Sequence, residues 1–153
     1  MSRRAALQPA TMLDFAKILI AYEAKENSAS GRAVPAKFGR VVEKLRQPLV
    51  ALTGVGGFRS LLSRALALAS PEVRWLRAVH IRGDGALEGP AQMAQLDSEE
   101  IANGELVLIA HLLELLVTFI GEALTLRLVQ DAWPGVPLND FDPTKNARRK
   151  EQK

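Results

Sequence analysis

Two residues on the most apolar stretch of the chain, His111 and Glu114, have the types and spacing of a metal or acid–base site. At this separation on a helix, both side chains can point to the same place. An imidazole beside a carboxylate can act as a general base or, with further ligands, bind a divalent metal. Because His80 is the only other histidine, we expect a local histidine–carboxylate pair without bound metal or cofactor. His80, His111 and Glu114 are the candidates for a catalytic or ligand-binding site.

A glycine-rich stretch at residues 53–60 has the composition of a loop that holds phosphate at the start of a helix. It lacks the Gly-Lys-Ser/Thr ending of a P-loop, has no apolar strand before it and lacks the glycine spacing of dinucleotide sites. A turn at which two helices pack closely is therefore the more common interpretation. The candidates for anion binding are Gly56, Gly57, Arg59 and Ser60.

Five residues are candidates for contacts with a partner. Lys37, Arg40 and Lys44 recur along one edge of a predicted amphipathic helix, where basic side chains contact phosphate or simply lie in water. The sequence shows no helix-turn-helix pattern whose second helix carries residues suited to base edges. Nucleic-acid binding through the predicted basic helix and the termini is therefore the weaker alternative. Trp75 and Trp133 are typical of core-edge anchors, and an exposed tryptophan would be an interface hot spot.

Apolar residues at helical spacing predict the elements that position these side chains. The predicted helices cover residues 12–25, 36–47 with a continuation to 53, 58–69 and 105–133. Glycines at 54–57 and the Pro-Gly-Val-Pro stretch at 134–137 are expected to end helices. Alternating residues and a Gly-Asp-Gly turn predict a short β-hairpin over 78–88.

These elements predict a mainly α fold, a small helical bundle around a long apolar C-terminal helix with the hairpin as an insertion. Residues 11–137 form the single helical domain, residues 1–10 are expected to be disordered, and residues 138–153 are a polar, basic tail. Asp97 or Ser98 is expected to cap a helical start, and Asn103-Gly104 to interrupt it before the long helix.

The long predicted helix is aliphatic around most of its circumference, so neighbouring elements must contact it on several sides. We interpret its polar stripe as the part that faces water; a second copy on the aliphatic surface and a cleft around His111 are the alternatives. The stripe comprises His111, Glu114, Thr118, Gly121, Glu122 and Thr125.

Composition excludes several classes of protein. The 153 residues include no cysteine, which excludes disulfides, thiolate zinc sites, iron–sulfur clusters and cysteine nucleophiles. No stretch at the start resembles a signal peptide. The most apolar run, residues 106–120, contains a histidine and a glutamate and is shorter than the about 20 apolar residues of a spanning helix. We therefore expect a cytoplasmic protein without a transmembrane span.

The net charge of +3 is distributed unevenly along the chain. Residues 1–50 carry nine basic and four acidic side chains, and residues 145–153 carry five and one. Residues 51–144 carry six basic and twelve acidic side chains. A basic first third and a basic tail on an acidic body suit an oriented partner or self-association better than a uniform nucleic-acid binder.

The sequence as a whole favours a non-enzymatic interaction or regulatory protein that offers an aliphatic helix surface to a protein partner or to a second copy. No hydroxyl side chain lies in a nucleophile-elbow motif, which argues against a serine hydrolase. The alternative is a small enzyme or ligand-binding protein with its site near His80, His111 and Glu114.

Overall fold

A computed structural model of the protein describes residues 9–29, 39–90 and 95–136. Within them the elements are α1 (Pro9–Ala29), α2 (Arg40–Ala69), a 3-10 helix (Arg74–Ala78), β1 (His80–Ile81), β2 (Leu87–Glu88), α3 (Ser98–Ile120) and α4 (Glu122–Ala132). The mainly helical fold with a small antiparallel hairpin and a long apolar helix near the C-terminus is confirmed. The predicted basic tail and Lys37 lie outside the described residues, as does the N-terminus before α1.

Helix α3 is the centre of the bundle and packs against α1, α2 and α4. Its buried residues include Leu108, Ile109, Leu112, Leu113 and Leu116. They fall on several sides of the helix, as expected for a helix enclosed by neighbours. Most of the aliphatic surface that the sequence offered to a partner is therefore covered by the protein's own helices.

The start of α3 is capped as the sequence predicts, with Asp97 as the cap. The Asp97 carboxylate accepts a hydrogen bond from the Glu100 backbone N–H at 2.8 Å, and the Glu100 carboxylate accepts one from the Asp97 N–H at 3.1 Å. This reciprocal pair satisfies two backbone donors that no helical turn can satisfy.

The expected interruption at Asn103-Gly104 is wrong, because α3 runs through it. Gly104 is buried beneath the ring of Trp75, and a Cβ atom at position 104 would overlap the indole. The Trp75 indole N–H donates to the Glu100 carbonyl at 3.2 Å. Gly104 is therefore a point of close packing inside a helix, not a helix end.

The predicted single helix over 105–133 is also wrong, because it is broken at Gly121. Gly121 has φ 90° and ψ 162°, in the region that L side chains rarely adopt. Helix α4 begins at the next residue, and the Thr125 hydroxyl donates to the Gly121 carbonyl at 2.7 Å. Since Thr125 is fully buried, the predicted polar stripe is not one continuous face toward water.

The two helices predicted on either side of residues 54–57 are the halves of one bent helix, α2. The backbone leaves helical geometry only at Gly54, with φ 81° and ψ 163°. Just before the bend, the Thr53 hydroxyl donates to the Leu49 carbonyl at 2.8 Å. Helix α2 also contacts the hairpin, in which His80 pairs with Glu88 and Ile81 with Leu87.

Helix α3 has the length and composition that crossing a membrane requires, with a mean hydropathy of 1.7 over its most apolar window. Half of that window is buried inside the fold. A core helix passes the same test, so the finding is weak evidence for a membrane span.

Candidate functional site

His111 lies close to Glu114, but its hydrogen bond is made with a different carboxylate, that of Glu72. The Nε2 atom of His111 lies 2.6 Å from a carboxylate oxygen of Glu72, which follows α2. The Nδ1 atom of His111 lies 3.6 Å from a carboxylate oxygen of Glu114, beyond hydrogen-bond distance. Glu72 is not among the predicted site residues, since nothing in the sequence around a turn residue indicates a partner 39 positions away. The cluster ties the middle of α3 to the end of α2.

His80 does not join this cluster. It lies exposed on β1 and lines a separate pocket of about 390 Å³, and neither His111 nor Glu114 is part of that lining. In the part of the chain that the structure describes, no group of three or more His, Asp or Glu side chains could hold a metal ion. The structure thus separates His80 from the other two residues of the predicted site.

The four candidates for anion binding do come together, in an open groove of about 1020 Å³ that we call the bend groove. One wall is formed by α2 after its bend and the other by the end of α3. The lining comprises Thr53, Gly56, Gly57, Arg59, Ser60, Leu61, Ser63, Arg64, Ala67, Phe119 and Ile120. Among the described residues, this lining contains two guanidinium groups, three Ser or Thr hydroxyls and no carboxylate.

Phe119 is the most exposed large apolar side chain among the described residues, with 62% of its surface accessible. It lies two positions before Gly121, where α3 ends and the chain turns away from the direction of the helix. Leu52 and Val55, on either side of the α2 bend, are also exposed. Both breaks in the helices therefore coincide with apolar side chains that the core does not cover.

The glycines of the bend have different roles. A Cβ atom at Gly57 would lie 2.8 Å from the Cβ of Thr53, so Gly57 is required for close packing within α2. A Cβ atom at Gly56 would meet nothing within 4 Å. The contact with Thr53 within one helix therefore explains Gly57 but not Gly56, and the predicted turn between two packed helices does not form here.

Three of the residues predicted to contact a partner lie around the buried carboxylate of Glu23 in α1. The Trp133 indole N–H donates to the Glu23 carboxylate at 2.8 Å, and Trp133 is fully buried. Arg40 and Lys44 form ion pairs with the same carboxylate at 3.7 and 3.5 Å. Lys44 also lies 5.8 Å from the centre of the Trp133 ring. Glu23, which the sequence analysis missed, thus joins α1, α2 and the end of α4.

A second buried carboxylate, Glu105 of α3, lies at the start of α2. It accepts a hydrogen bond from the Gly39 backbone N–H at 2.9 Å. Burial raises the pKa of Glu105 above its usual value, and the nearby charge of Glu23 acts in the same direction, while backbone hydrogen bonds from Gly39 and Arg40 oppose the shift. Glu105 serves as a helix cap supplied by another helix.

The bend groove combines an exposed aromatic ring with guanidinium and hydroxyl donors, whereas His111 and Trp133 contact carboxylates of other elements, those of Glu72 and Glu23. Trp75, the remaining partner candidate, is half-buried against Gly104.

Comparison of the chain with protein-family models, with curated proteins and with solved structures found no match.

Proposed function

We propose that this protein is a non-enzymatic interaction protein that binds an acidic, amphipathic helical segment of a partner protein in the bend groove. The observation that carries the proposal is Phe119, a largely exposed aromatic ring in the wall of a groove that also presents Arg59 and Arg64. Aromatic residues and arginine are the side chains most enriched at protein interfaces.

The apolar part of the proposal rests on where the exposed residues lie. Single exposed apolar residues are normal on a protein surface, but a group of them around a concave surface is typical of a binding site. Phe119 lines the groove, and Leu52 and Val55 flank the bend that forms it. Covering one such side chain contributes about 1.5–3 kcal/mol, so a few contacts suffice for a specific, reversible complex.

The charge of the groove selects an acidic occupant. Arg59 and Arg64 form no ion pair with a described residue, and the described lining contains no carboxylate. Guanidinium groups bind carboxylates with two parallel hydrogen bonds. An amphipathic helix with leucines on one face and glutamates beside them would satisfy both features, as in other helix-in-groove complexes.

The proposed interaction surface lies at the end of the long helix and not along its side. The sequence placed it on the aliphatic flank of that helix, which packs against α1, α2 and α4. A second copy of the chain is the alternative occupant.

The test uses two designed peptides with the same leucine pattern, one with glutamate and one with lysine on the polar face. Each is titrated into the full-length, ¹⁵N-labelled protein, and amide shifts are followed by NMR. We expect the glutamate peptide to bind with shifts around residues 53–67 and 119–120, and the lysine peptide to bind at least about tenfold more weakly.

Matched variants locate the binding surface. Phe119→Ser and Arg64→Gln should each weaken binding, whereas Leu68→Ser and Arg127→Gln should not, since Leu68 and Arg127 are exposed residues outside the groove lining. Equal binding of both peptides, or equal effects of Phe119→Ser and Leu68→Ser, would overturn the proposal. Self-association in sedimentation velocity that Phe119→Ser abolishes would replace the partner with a second copy.

A further inference from the structure

The pocket that contains His80 brings three nitrogen-bearing side chains together from three different elements. Arg59 comes from α2, Arg77 from the 3-10 helix and His80 from β1. We call this the arginine pocket; its volume is about 390 Å³. Two serine hydroxyls, those of Ser63 and Ser70, complete its polar lining, and no Asp or Glu of the described residues belongs to it.

We infer that the arginine pocket binds a phosphate-class oxyanion, either inorganic phosphate or the phosphoryl group of a monoester. A tetrahedral anion accepts hydrogen bonds from several directions at once, so a pocket lined by donors from three elements suits it. A planar carboxylate, by contrast, is satisfied by a single guanidinium fork. The pocket is also too small for a nucleic-acid duplex, so a small anion or a single phosphoryl group is the ligand class that fits.

Most donor side chains of this pocket have no hydrogen-bond or ion-pair partner among the described residues. Arg59 and Arg77 form no ion pair with a described residue, and Ser63 forms no hydrogen bond with one. Ser70 differs, because its hydroxyl donates to the Leu66 carbonyl at 2.6 Å and keeps only its lone pairs for other contacts. Glu88 pairs with His80 across the hairpin but is not part of the lining.

The surrounding charge makes the pocket distinctive. Residues 51–144 carry twelve acidic and only six basic side chains, so most of this body repels anions. Two of those six, Arg59 and Arg77, line the arginine pocket. A local cationic cavity on an acidic body binds an anion by specific contacts and not by the field of the whole surface.

This inference goes beyond the proposed function, because a partner helix in the bend groove needs no phosphate. Arg59 and Ser63 line both cavities, so they cannot separate the two proposals. Arg77 and His80 line only the arginine pocket, and Arg64 lines only the bend groove. Variants at these three positions therefore test each proposal independently.

The test titrates the full-length, ¹⁵N-labelled protein with inorganic phosphate and, separately, with glycerol 3-phosphate at constant ionic strength. We expect saturable shifts at Ser63, Arg77 and His80. Arg77→Gln should weaken binding about tenfold, as expected for the loss of a charge-assisted hydrogen bond, and His80→Ala should also weaken it. Arg74→Gln, on the same 3-10 helix but outside the lining, and Arg64→Gln should leave it unchanged.

The two ligands distinguish the source of the anion. Tighter binding of glycerol 3-phosphate supports a phosphorylated molecule, and tighter or equal binding of inorganic phosphate supports the free ion. Shifts that never saturate, or an equal loss of binding in Arg74→Gln and Arg77→Gln, would overturn the inference. Thermal unfolding of each variant verifies its fold, which we expect to be retained because Arg77 and His80 are exposed.

Discussion

The carboxylate of Glu105 accepts a hydrogen bond from the backbone N–H of Gly39, 66 positions earlier in the chain, at 2.9 Å. Gly39 has φ 88° and immediately precedes α2, whose first backbone donors have no partner within the helix. A side chain from the central helix thus satisfies the start of α2. Glu23 binds Arg40 and Lys44 of the same first turns, so two buried carboxylates hold this helix start in place.

Ionisation of Glu105 should make the stability of the protein depend on pH. Burial raises the pKa of Glu105 above its usual 4.5, so the folded state favours the protonated form. The contribution of this raised pKa to the free energy of unfolding is fully present below the usual pKa. It is lost as the pH rises through the raised pKa of the folded state. Glu105→Gln keeps an acceptor but cannot ionise, so we expect a higher free energy of unfolding than in the wild type at pH 7.

Urea denaturation at a series of pH values above 4 checks this expectation. Glu105→Ala should lower stability by about 1–3 kcal/mol, because it leaves the Gly39 N–H without its partner. Glu114→Gln, the same change at a partly exposed position of the same helix, is the matched control. The explanation fails if Glu105→Gln is as unstable as Glu105→Ala at pH 7.

Replacing Trp133 by phenylalanine should destabilise the protein more than the same change at Trp75. Trp133→Phe keeps a buried ring but removes the donor to Glu23, and a buried carboxylate that loses a partner costs about 1–3 kcal/mol. The Trp75 indole hydrogen bond is exposed to water, so its loss should cost less. Urea unfolding followed by far-UV circular dichroism measures both. Equal losses would show that the Glu23 contact contributes no more than an exposed hydrogen bond.

Alanine should have opposite effects at two helical glycines. Gly56→Ala meets nothing within 4 Å, so the higher helix propensity of alanine should stabilise the protein by up to about 1 kcal/mol. Gly104→Ala places a methyl group into the Trp75 ring, and overpacking of this kind typically costs about 1–3 kcal/mol. Thermal unfolding compares the two variants. The double variant Gly104→Ala, Trp75→Ala should show a smaller penalty for the alanine at 104; if the penalty is unchanged, the ring is not its cause.

Many residues of the bend groove and the arginine pocket can be identified in the sequence one by one, but not as neighbours. The 54–57 glycines mark the bend that forms the groove, and Arg59, Ser60 and His80 stand out by residue type. Phe119 does not, because a phenylalanine in an aliphatic helix normally indicates core. Its exposure follows from the helix break at Gly121, which sequence periodicity did not locate.

The sequence by itself determined what depends on neighbouring residues: the helical spacing of apolar side chains, the Asp97 cap, the hairpin turn and the approach of His111 to Glu114. Tertiary structure alone decided which glycine breaks a helix. Gly104 and Gly121 lie in the same apolar pattern, yet Gly104 stays helical under Trp75 while Gly121 turns the chain. It also decided the contacts of Glu72 with His111 and of Glu105 with Gly39. The physical reason is that backbone propensity and capping act over a few residues, whereas these contacts form only when whole helices pack together.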